Sequence, residues 1–193
     1  MLIRTVKQQY ENYIAVKSGA LEEDMCLVLT APLNAEATGV VRGSVVSLND
    51  KGEYVLGLTE GSGNIYPMPC FSKKNAFDPD VSTGAVGEKT GEYIAMSTVG
   101  KKISAYVATG GFELESSEFD ATATYSVNMA LSCGTADKAG KVVPADANGI
   151  YGSKTVLGIV SQVPFRGKDS MNVNGTAVNR ICFWTVFFPP KRG

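Results

Sequence analysis

The stretch from Val178 to Phe188 limits the possible architectures more than any other part of the chain. In a strand, successive side chains point to opposite faces. One face here carries Val178, Arg180, Cys182, Trp184, Val186 and Phe188, and the other carries Asn179, Ile181, Phe183, Thr185 and Phe187. By Cys182 both faces are apolar, so in/out alternation fails. Such a strand needs cover on both sides, from a barrel interior on one and from something else on the other. Pro189-Pro190 ends it, because proline cannot continue a ladder. The only Trp and three of the eight Phe fall within six residues here. The segment reads as a central core strand. The functional alternative is a subunit interface, with Trp184, Phe187 and Phe188 as candidate anchors.

The rest of the chain supports an all-β fold. Its 21 glycines and eight prolines are dispersed between short apolar runs, the pattern of a small β-barrel or sandwich. Val40–Leu48, the turn Asn49-Asp50-Lys51-Gly52 and Glu53–Leu58 read as a hairpin. Further strands are expected over Glu92–Val99, Ile103–Val107, Phe112–Glu115, Val127–Cys133, Lys141–Val143 and Thr155–Val163. Val55-Leu56-Gly57-Leu58 has an echo in Val156-Leu157-Gly158-Ile159, and each glycine is expected to mark a bulge or tight bend. Residues 1–37 lack a clear period and read as an extended N-terminal arm; a first strand plus loop is the competing reading. Arg4, Lys7, Tyr10 and Tyr13 are its candidate contact residues. Residues 38–193 then form the β-barrel domain, with a loop-rich insertion over 59–91. Deleting the arm is expected to leave the barrel folded.

Composition removes several function classes. The 18 basic and 19 acidic residues leave a net charge of −1, without the basic excess of a phosphate-contacting protein, so no nucleic-acid partner is expected. There is no histidine, hence no usual triad. No GxSxG and no phosphate loop occur. Cys26, Cys70, Cys133 and Cys182 contain no CxxC pair, so no metal site is expected. They read as reduced thiols, two or three of them buried. No 18-residue apolar stretch or apolar signal core is present, and no membrane association is expected. Glu113/Glu115 and Asp78/Asp80 read as solvated acids, leaving no catalytic residue and no cofactor. Residues 108–150 carry two basic and six acidic side chains, and residues 151–193 six basic and one acidic. These read as two solvated surfaces, or as segments that meet within or between subunits.

Three features carry a resemblance. Tyr125-Ser126-Val127-Asn128-Met129-Ala130-Leu131 leads into the turn Asp137-Lys138-Ala139-Gly140-Lys141-Val142. Thr155-Val156-Leu157-Gly158-Ile159-Val160-Ser161 follows. Phe183-Trp184-Thr185-Val186-Phe187-Phe188-Pro189 closes the run. This layout resembles the small β-barrel head decoration (cement) proteins of tailed bacteriophages, over about residues 120–190 and more loosely over 38–107. The resemblance implies a non-enzymatic structural virion protein. It would be made in the host bacterial cytoplasm and would bind the capsid exterior. There it would bridge subunits of the major capsid protein, as a homotrimer whose N-terminal arm lies along the shell. The 59–91 segment departs from a minimal cement barrel. Two other classes compete. One is a carbohydrate- or receptor-binding module of a tail or fibre, presenting tyrosines such as Tyr54, Tyr66, Tyr93 and Tyr106. The other is a small histidine-free enzyme.

Overall fold

A computed structural model describes residues 14–18, 27–37, 39–59, 67–73, 102–168 and 177–190. These form two antiparallel sheets. The strands are β1 (Ile14–Ser18), β2 (Val28–Pro32), β3 (Val45–Leu48), β4 (Tyr54–Leu56), β5 (Cys70–Ser72), β6 (Lys102–Val107), β7 (Glu113–Ser116), β8 (Ala130–Cys133), β9 (Val142–Pro144), β10 (Val156–Lys168) and β11 (Ala177–Phe188). The larger sheet runs β1-β7-β11-β10-β8-β9 and the smaller β2-β6-β5-β3-β4. The all-β expectation holds, in the form of two packed sheets.

The doubly apolar strand lies where its pattern requires. Flanked by β7 and β10, β11 points Ile181 and Phe183 into the core between the sheets. Phe183 meets Phe71 of β5 there, ring centroids 5.3 Å apart. Leu114, Leu131, Leu157 and Val160 fill the same layer from the larger sheet, and Val45 and Tyr106 from the smaller. Each such side chain contributes roughly 1.5–3 kcal/mol by leaving water.

The smaller sheet has a second core on its other face. Val46, Cys70, Ile103, Ala105 and Val107 alternate away from the first core and pack with Leu33, Ala37, Val40 and Tyr54. Just past β2 the chain turns back to β4. Leu33 makes a parallel bridge to Tyr54, and the Asn34 N–H donates to the Tyr54 carbonyl at 2.9 Å. The sheet curls so that its two edge strands approach each other here. From inside the curl the Tyr54 hydroxyl donates to the Leu29 carbonyl at 3.0 Å.

Glycines shape the corners. The Asn49–Gly52 turn forms as expected: Gly52 has φ +74°, and the Asn49 side-chain oxygen accepts from the N–H groups of Lys51 and Glu53. Gly57 has φ +80°. Gly158 lies beside a register shift between β10 and β11. The sheets join at Gly140, φ +77°, whose carbonyl accepts from the Val45 N–H at 2.7 Å.

Three expectations change. Residues 14–18 and 28–32 are not a free arm: β1 pairs with β7, and β2 pairs with β6. Ile14, Ala31, Leu33 and Ala37 are core residues, so residues 1–37 cannot be removed without opening both cores. The competing strand-plus-loop reading fits this better. Within the expected 59–91 loop, Cys70–Ser72 is a fully buried strand between β3 and β6. Three residues between Pro69 and a polar stretch are too short for a periodic signal. The first hairpin strand starts at Val45, because Val41–Ser44 forms a turn closed by the Ser44 N–H on the Val41 carbonyl. The expected Glu92–Val99 strand lies outside the described residues.

Asp120 pins a loop to the edge of the larger sheet. Its carboxylate accepts from Lys138 Nζ at 2.5 Å and from the Thr122 N–H and hydroxyl. The Lys138 bond first, then the two Thr122 bonds, hold its pKa down at about 2. An unfolded aspartate titrates near 4. The folded state therefore gains stability from this group above pH about 4 and loses it as pH falls towards about 2. Asp120→Asn is expected to flatten the acid limb of the stability profile over that interval, read by thermal melts at stepped pH.

Candidate functional site

The outer face of the larger sheet gathers the chain's most unusual side chains. Register places Ala130, Ile159, Trp184 and Glu113 side by side across β8, β10, β11 and β7. Trp184 is 41% exposed; Phe188, 39% exposed, lies past a register shift between Thr185 and Phe188 that takes it out of alternation with Trp184. Val186 between them is half-buried. Ala130, Ile159 and Trp184 make a short apolar row across three strands, with the indole its most exposed member.

Beside the row sits a charged cluster. Arg180 of β11 donates to Glu115 of β7 at 2.7 Å, and both residues are buried. Lys17 of β1 approaches the other Glu115 oxygen at 3.8 Å. Its Nζ also donates to Gln162 Oε1 at 3.1 Å, contacts Cys182 Sγ at 3.4 Å and lies 5.5 Å above the Phe165 ring. The register shift between Val160 and Gln162 inserts one extra residue in β10. A bulge of this kind turns neighbouring side chains to one face. Ser161 donates to the Glu113 carboxylate, and Gln162 reaches Lys17.

Burial pushes the Cys182 thiol up and outweighs the opposing effect of Lys17, so the thiol is the resting form of this sulfur. Burial alone would lower the Lys17 pKa, but Cys182, Glu115 and Glu113 together raise it. Among the described residues no group of three or more Cys, Asp or Glu gathers where it could hold a metal ion. Among the same residues no helix is long and apolar enough to cross a membrane.

The sequence-derived candidates separate. Trp184 and Phe188 are both exposed and Phe187 is half-buried; the register shift between Thr185 and Phe188 breaks the alternation expected to put Trp184 and Phe188 on one face. Arg4, Lys7, Tyr10 and Tyr13 lie outside the described residues, as do Asp78 and Asp80. Glu113 and Glu115 are not solvated acids, since both are bonded across strands. The acidic and basic segments meet within one subunit at Glu115–Arg180. Tyr54 and Tyr106 are buried core residues, while Tyr66 and Tyr93 are not described. Cys70, Cys133 and Cys182 are free and buried. Sequence reasoning missed Arg180, Lys17 and Gln162. The available signal was a lone arginine in an otherwise apolar strand, which demands a buried acid.

Comparison of the chain with protein-family models, with curated proteins and with solved structures found no match.

Proposed function

We propose that this chain is a structural virion protein, a decoration (cement) protein of a tailed bacteriophage. It binds the outer surface of the icosahedral capsid, bridges major capsid protein subunits and stabilises the shell without catalysing a reaction. Its place is the capsid exterior after synthesis in the bacterial cytoplasm, and its assembly state is a homotrimer. The observation that supports this reading best is the outer face of the larger sheet. A half-exposed Trp184 stands there in register with Ile159 and Ala130, next to a buried charged cluster paired within the subunit. Trp at the centre of a patch with desolvated arginine nearby is the composition of interface hot spots. Two packed sheets supply a rigid support, and many copies bound only to the assembled shell add their stabilisation by mass action.

Density-gradient sedimentation of particles from the source infection tests the proposal. The chain is expected to travel with filled heads at a high, fixed copy number. Recovery only in the soluble fraction overturns it, and a few copies per particle would move it to a tail or fibre. Trp184→Ala is expected to weaken shell binding about tenfold or more, the scale of a truncated anchor. Its melting temperature should stay close to wild type.

A further inference from the structure

We propose that Lys17 and Cys182 form a reversible oxidative cross-link, a sulfenamide joining β1 to β11 across the intervening β7. The inference stands independently of the virion reading. Lys17 Nζ lies 3.4 Å from Cys182 Sγ, within the roughly 3–3.5 Å of a near-attack pair. Gln162 holds both atoms in place, its Oε1 being 3.1 Å from Nζ and 3.8 Å from Sγ. The other described cysteines differ. Cys70 Sγ faces the Met68 carbonyl and Cys133 Sγ the Gly134 carbonyl. Only Cys182, among them, has an amine in reach.

The chemistry takes two steps with hydrogen peroxide as oxidant. The Cys182 thiol first releases its proton to solvent, and the thiolate sulfur takes one peroxide oxygen; the O–O bond breaks, the leaving hydroxide takes up a proton as water, and the cysteine becomes a sulfenic acid. The neutral Lys17 amine then attacks that sulfur. The S–O bond breaks, an S–N bond forms, and a nitrogen proton leaves with the hydroxyl as a second water. Sulfenic acids condense with backbone nitrogen in the same way. The charged groups facing the pair are Glu113 and Glu115 from β7 and Arg180 from β11. The ammonium proton that must leave before attack passes to solvent base, the Lys17 side chain being 41% exposed. The bond spans 165 residues of sequence and fastens an edge strand of the larger sheet to its centre.

Full-length protein is treated with hydrogen peroxide, and tryptic peptides are mapped with and without a thiol reductant. The expected result is a linked pair of peptides containing Lys17 and Cys182, lighter by two hydrogens than their sum. Cleavage after Lys17 should be lost, and reductant should restore both peptides. A rise in melting temperature of about 5–15 °C should accompany the link, as for a long-loop disulfide. Lys17→Arg keeps the charge and should abolish the link and the temperature rise, while any disulfides among other cysteines persist. Continued cleavage after Lys17, with Cys182 recovered as free thiol or sulfinic acid, overturns the proposal. That readout comes from the unmutated chain and does not depend on how the variant folds.

Discussion

Gly140→Ala is expected to cost about 2–5 kcal/mol of folding stability, measured by denaturant titration. Two penalties add. The residue sits at φ +77°, where an L side chain is strained by about 1–2 kcal/mol. An added Cβ would also stand 2.3 Å and 3.0 Å from two carbons of the Leu56 side chain, and overpacking of that kind costs about 1–3 kcal/mol. Relief by moving Leu56 is restricted, because the Gly140 carbonyl anchors Val45 and the Val45 carbonyl anchors Gly57. Gly52→Ala is the internal control. It has a similar φ of +74° but open space around the new Cβ, so only the backbone part, about 1–2 kcal/mol, is expected. Equal losses at the two sites would remove the steric argument. Against a total stability of about 5–15 kcal/mol, the Gly140 loss is large.

Arg180→Met should destabilise the fold by about 3 kcal/mol, whereas Arg180→Met combined with Glu115→Leu should lie within about 1 kcal/mol of wild type. The single change leaves a carboxylate on a residue that is 8% exposed, facing only the more distant Lys17. A buried charge deprived of its partner is costly, while an apolar pair of similar volume recovers the packing without the desolvation. The coupling follows from a double-mutant cycle by denaturant unfolding. Additive losses would mean that the pair acts through packing alone.

Secondary structure was legible in the sequence wherever a strand carried its own pattern. The β-branched run before Gly52, the Val-Leu-Gly-aliphatic segment of β10 and the two-sided apolar run of β11 all form strands. What the sequence hid depends on partners far away in the chain. β5 is three residues long and becomes a strand only because β3 and β6 flank it. The stretch around β1 has no period of its own, since Ile14 is turned into the core by its pairing with Ser116. For the candidate face, Trp184 and Phe188 were visible as an aromatic cluster. The Glu115–Arg180–Lys17 cluster was not, because its three members come from three strands and meet only when β7 lies between β1 and β11. Glu113 and Glu115 were read as solvated for the same reason.

That interleaving has a kinetic consequence. Ile14 waits for Ser116, Val28 for Tyr106, and Glu115 for Arg180, 65 residues on. Most strand partners are therefore distant in sequence, and loop closure has to precede any gain from pairing. Chains of such high contact order fold over milliseconds to seconds rather than microseconds. During that interval the edge of β7 that later receives β11 stands open, with Leu114 uncovered. Crowded, rapid refolding should favour association between chains over completion, and dilution or cooling should restore the yield.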